Sequence, residues 1–79
     1  MAMVDFLRQL FSDKETLILA ALEERPKYGL ELCDETGLSF GFLYPVLHRL
    51  ERAGKIESYW DEQRRPERGG ARRKYYKLR

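Results

Sequence analysis

The chain has 79 residues, 43% of them hydrophobic and 13% aromatic, with a formal net charge of +2. That length holds one small core and no second domain, and that composition excludes a disordered chain. The longest apolar run, Leu17 to Leu22, is too short to cross a bilayer, and the single Cys33 excludes an internal disulfide.

The first segment, MVDFLRQLF at residues 3–11, places Val4, Leu7, Leu10 and Phe11 at helical spacing. It predicts a short amphipathic helix, marginal alone. Ser12 with Glu15 three residues on predicts a capping box, so the next helix is expected from Asp13 to about Glu24. Pro26 stops it. Its LILAAL stretch is apolar nearly all round, so most of its girth is expected to be covered. A second helix is expected from Tyr28 to about Glu35, ended by Gly37 in the left-handed region. Ser39 is the expected cap of a third helix running to about Arg52 or Ala53. There Leu43, Leu47 and Leu50 face inward, and Tyr44, His48, Arg49 and Arg52 face outward. Pro45 sits inside that helix and removes one amide donor, and Gly54 closes it. Two alternating stretches follow, Lys55 to Asp61 and Ala71 to Leu78, which predict two antiparallel strands. Their connection, EQRRPERGG, is long for a hairpin and expected to be mobile at its tip. The expected fold is mainly helical: a winged helix-turn-helix of three helices and a two-stranded wing, with an extra N-terminal helix, in one domain over 1–79.

Charge is unevenly spread. Residues 1–48 carry four Lys/Arg against eight Asp/Glu, a balance of −4, and residues 49–79 carry eleven against five, a balance of +6. Charge runs are usually solvated surface. Here the run coincides with a hairpin beside an outward helix face, which favours a face for a polyanion.

The order of elements and their residues resemble the DNA-binding domain of the PadR family of winged-helix transcriptional regulators. The resemblance is carried by LILAALEERPKYGLEL, LYPVLHRLERAGKIES, Trp60 and RRKYYKL, over roughly residues 13–79. It implies a homodimer bound to an inverted repeat of double-stranded DNA, helix three in the major groove and the wing on the backbone or the minor groove. The family continues into a C-terminal dimerisation helix, whereas this sequence stops at Arg79. The N-terminal helix is expected to replace it through Val4, Leu7, Leu10 and Phe11. Family members often carry Ser-Pro-Gly-Thr before LYP. Here Ser39-Phe40-Gly41-Phe42 stands in that place, so base readout is expected to differ at Phe42. Family ligand pockets rely largely on the dimer helix, so no small-molecule effector is expected.

The expected DNA-contacting residues are Ser39, Phe42, Tyr44, His48, Arg49 and Arg52 around helix three. On the wing they are Arg64, Arg65, Arg68, Arg72, Arg73 and Lys74, as phosphate clamps or minor-groove arginines. Strand alternation keeps Arg73 off the face shared by Arg72 and Lys74, so at least one of the three is structural or solvated. Trp60, Tyr75 and Tyr76 could form a base-stacking platform, but support of the core or wing is the expected role of Trp60 and Tyr76. Cys33 is expected to be a small buried apolar residue. His48 is the only histidine and has no ligand set around it, so neither metal nor cofactor is expected. No nucleophile–base pair, phosphate-binding glycine loop or carboxylate pair is visible, so an enzyme is not expected. The sequence reads as a cytoplasmic DNA-binding regulator, a repressor. Its rivals are a protein–protein interaction winged helix and an RNA-binding one.

Overall fold

The computed structural model describes residues 13–61 and 72–79. The expected helix over 3–11, the Ser12 cap and the wing-tip arginines lie outside the described residues.

Helix α1 covers residues 13–22 of that range and sends Ile18 and Leu22, one turn apart, into the core. It ends two residues before the expected Glu24. Glu23 to Arg25 bend, because a residue before proline is pushed out of helical conformation. Leu17, on the side of α1 away from Ile18 and Leu22, is 47% exposed.

The next two residues contain the main departure from expectation. Lys27–Tyr28 form a short strand, β1, rather than the start of the second helix. Lys27 is 1% exposed. Its ammonium donates to the Ala21 carbonyl at 2.6 Å and to the Glu35 carboxylate at 2.6 Å, with Glu24 at 3.5 Å. The Glu35 hydrogen bond leads in raising the Lys27 pKa above its ordinary value, so the charge is kept. One buried cation thus ties the last turn of α1 to β1 and to the helix that follows.

That helix, α2, spans Gly29–Thr36. Glu31 reaches back to accept the Tyr28 amide at 3.3 Å. The helix stops at Gly37, whose φ of 76° and amide bond to the Cys33 carbonyl at 2.9 Å make the expected left-handed cap. Cys33 is half-buried rather than fully buried and packs against the core.

Helix α3 spans Phe40–Arg52 and buries Leu43, Val46, Leu47 and Leu50. Ser39 occupies the cap position, but its hydroxyl makes no cap hydrogen bond. Only the Ser39 carbonyl serves the first turn, accepting the Leu43 amide at 2.8 Å. At the other end Ala53 is the terminal residue and Gly54 turns left-handed, with φ of 75°. The Gly54 amide bonds the Glu51 carbonyl and the Lys55 amide the Leu50 carbonyl, both at 3.0 Å, which completes a Schellman motif.

Strands β2, Ile56–Trp60, and β3, Lys74–Leu78, pair antiparallel with Ser58 opposite Tyr76. β1 joins the other edge of β3, Lys27 opposite Tyr76. The sheet therefore has three strands in the order β1-β3-β2, not the two of the expected hairpin. Ile56 and Tyr76 are its buried hydrophobic residues, and with Leu32 they close the core under α1 and α3.

Candidate nucleic-acid interface

One face of α3 is spent on the core, so the helical repeat places Tyr44, His48, Arg49 and Arg52 on the exposed side. Phe40 joins them one turn earlier and stacks on Tyr44, with centroids 5.5 Å apart and planes at 14°. Arg49 turns back to α1, where Glu15 takes its Nε at 3.2 Å. Phe42 is 59% exposed and lies under the Lys14 ammonium, 4.3 Å from its centroid. Ser39 is exposed beside it.

The strands bring the second set of residues to this side. Arg73 is half-buried, its guanidinium 4.3 Å over the Tyr28 ring, and its backbone carbonyl accepts the Asp61 amide at 2.7 Å. Lys74 lies over Trp60 and Tyr76, at 5.7 and 5.9 Å. Arg72 is exposed. Two clefts result. One, of about 390 Å³, lies where β1, the start of α2, the start of α3 and β3 meet, and Tyr28, Gly29, Tyr44, Arg73 and Lys74 line it. The other, of about 370 Å³, is lined by His48, Glu51, Arg52 and Lys74. Glu51 is held there by the Ser58 hydroxyl, which donates to it at 2.9 Å. Arg64, Arg65 and Arg68 lie outside the described residues.

Trp60 corrects an expectation. It is 56% exposed and so no part of the core, whereas Tyr76 is buried as expected. Both sit on one face of the sheet, but burial fades along β2 from Ile56 to Trp60. On the opposite face Tyr59 stacks on Tyr75 at 5.8 Å, and Lys77 pairs with Glu57 at 3.1 Å. Phe40, Tyr28 and Lys14 were not among the expected site residues. Only Phe40 left a sequence signal, four positions before Tyr44 on the outward stripe. Among the described residues no group of three or more His, Cys, Asp or Glu side chains is placed to hold a metal ion. Burial raises the Cys33 thiol pKa, which disfavours its thiolate.

The model of the transcriptional regulator PadR-like family matches residues 18–79. The chain belongs to this family. Solved structures agree. A Streptococcus mutans protein is 34% identical, with a TM-score of 0.70 over 84% of this chain and 61% of its own. A PadR family transcription regulator from Clostridium difficile is 32% identical, with a TM-score of 0.70 over 84% of this chain and 71% of its own. Pex from Synechococcus is 31% identical, with a TM-score of 0.63 over 95% of this chain and 80% of its own. No curated protein matches. The PadR-like chain thus spans about three fifths of the Streptococcus mutans structure. Among the described residues no helix is long and apolar enough to cross a membrane.

Proposed function

We propose that this chain is a sequence-specific binder of double-stranded DNA in a transcriptional regulator, acting as a repressor by occupying promoter DNA. The observation that carries the reading is the exposed row Tyr44, His48 and Arg52 on α3, flanked by Arg73 and by Lys74, the first residue of β3. A helix fits the major groove, where hydroxyl, imidazole and guanidinium groups reach phosphates and base edges, while the flanking cations take phosphates. Ser39, Phe42 and Arg49 border the row, and Arg64, Arg65, Arg68 and Arg72 extend the cationic surface along the backbone or into the minor groove. Major-groove insertion of α3 places the wing against the neighbouring backbone.

The protein works as a homodimer on an inverted repeat. Leu17 is exposed on α1, and the preceding segment carries Val4, Leu7, Leu10 and Phe11 at helical spacing. Two such segments packed about a two-fold axis present two copies of α3 about one DNA turn apart. No small-molecule effector is part of this reading.

The test is selection of duplexes from a random pool, followed by titration of the recovered site, a scrambled site, single-stranded DNA and double-stranded RNA at several salt concentrations. The reading requires preference for one duplex, with affinity falling steeply as salt rises. Equal affinity for all duplexes, preference for RNA, or no binding at low salt would each overturn it, the last in favour of a protein partner.

A further inference from the structure

We infer that the cleft between β1, the starts of α2 and α3, and β3 seats one backbone phosphate of bound DNA, with Arg73 supplying the charge and the Tyr44 hydroxyl a second donor. This rests on the DNA-binding reading and adds a defined contact to it. Four observations converge. The Arg73 Nε is buried and, among the described residues, has no hydrogen-bond partner. A guanidinium N–H left unpaired is costly, so an acceptor entering the cleft would relieve that cost. The Tyr28 ring, 4.3 Å from the guanidinium carbon, holds that cation at the cleft wall, where an oxyanion can meet it.

Among the described residues no carboxylate lines the cleft, and neither Arg73 nor Lys74 makes an ion pair. By contrast Arg25, Lys27, Arg49 and Lys77 each pair with a glutamate. The neighbouring cleft holds Glu51 and is the poorer anion site.

Gly29 supplies the third observation. A side chain there would collide with the Tyr44 hydroxyl, so glycine is what lets that hydroxyl lie over the first turn of α2. The amide end of a helix favours negative charge, and Tyr44 is held in place by its stack on Phe40. Finally, Lys74 lines both clefts, so this cleft and the one at His48 and Arg52 adjoin along the outward face of α3. A free anion would not require that continuity, but a phosphodiester chain running beside the reading helix does.

The experiment scans phosphates. A duplex recovered by selection is prepared with one phosphate at a time replaced by a neutral methylphosphonate and titrated with wild type, Arg73→Gln and Tyr44→Phe. In wild type, one position per half-site is expected to weaken binding about ten-fold or more, the size of a hydrogen bond to a charged group. Arg73→Gln should bind the unmodified duplex more weakly and lose its sensitivity at that position while keeping it elsewhere. Tyr44→Phe, which removes one oxygen and keeps the ring stack, should reduce the same sensitivity and remains informative if the Arg73 variant does not fold. Wild-type sensitivity retained at every position in both variants would overturn the seat while leaving DNA binding intact. Failure of wild type to bind any duplex would instead remove the function proposed above.

Discussion

Leu47 and His48 are sequence neighbours with opposite duties, and replacing each by alanine separates folding from recognition. Leu47 is 1% exposed. Leu47→Ala removes three carbon groups from the core at ~0.8 kcal/mol each, about 2.4 kcal/mol of transfer free energy. The cavity left behind raises the expected loss to about 3–5 kcal/mol. A 79-residue domain has about 4–12 kcal/mol of stability at 0.05–0.15 kcal/mol per residue, so the loss is a large share of the whole. With a urea slope of about 1–1.5 kcal/mol per molar, the unfolding midpoint falls by roughly 2–5 M. His48 is exposed, so His48→Ala should shift stability by no more than about 0.5 kcal/mol. Its preference for the selected duplex over a scrambled one should fall by about 1–3 kcal/mol if the imidazole reads a base. Both variants are compared by urea unfolding followed by circular dichroism, and by DNA titration below the transition. A Leu47→Ala midpoint within about 1 M of wild type would refute the burial argument. So would a His48→Ala midpoint as low as that of Leu47→Ala.

Gly54→Ala should cost about 1 kcal/mol in thermal unfolding although its Cβ meets only Arg79 Nη1 at 3.7 Å, because the cost lies in the left-handed φ. An unchanged melting temperature would mean that the α3 terminus relaxes. Lys27→Met should destabilise the fold by leaving the Glu35 carboxylate and Ala21 carbonyl without their donor, whereas Glu24→Gln, at 3.5 Å, should change little. Equal melting curves for both would deny the buried cation its structural role. The Arg25 guanidinium, by hydrogen bonding, holds the Glu31 carboxyl below its ordinary pKa. A depressed carboxyl stabilises the fold above its unfolded pKa of about 4.3, and this contribution is lost as pH falls through the lower folded value. Glu31→Gln should therefore flatten the acid limb of stability against pH, and an unchanged limb would refute the assignment. Burial pushes the Tyr76 pKa up to about 12, so alkaline titration of phenolate absorbance should show one tyrosine ionising last and vanishing in Tyr76→Phe.

Much of this fold is legible from residue spacing. Leu43, Leu47 and Leu50 define the inward face of α3, and Gly37 and Gly54 mark helix ends through a conformation that few other residues accept. What escaped the sequence reading has a physical reason in each case. Lys27–Tyr28 is too short to show a period, and its strand exists only because β3, far along the chain, supplies the partner. A lysine reads as surface, yet Lys27 is buried because Glu35 and the Ala21 carbonyl satisfy its ammonium. Trp60 reads as core from alternation alone, but alternation gives the face and not how deeply each residue on it is buried. At the interface the outward row on α3 was readable from helical phase. The cleft behind it was not, since Tyr28, Gly29 and Arg73 meet only through the three-stranded sheet.

The middle place of β3 in that sheet also orders events during synthesis. Its partners in β1 lie roughly fifty positions earlier in the chain, and β2 holds its other side. The helices can gather as they leave the ribosome, but neither edge strand can pair until residues 74–78 have been made. The latest of these three strands therefore arrives as a keystone between two waiting edges. Until then Lys27 and Ile56 are separated from the strand that completes their surroundings, and a nascent chain halted before residue 74 presents two unpaired edges to its neighbours.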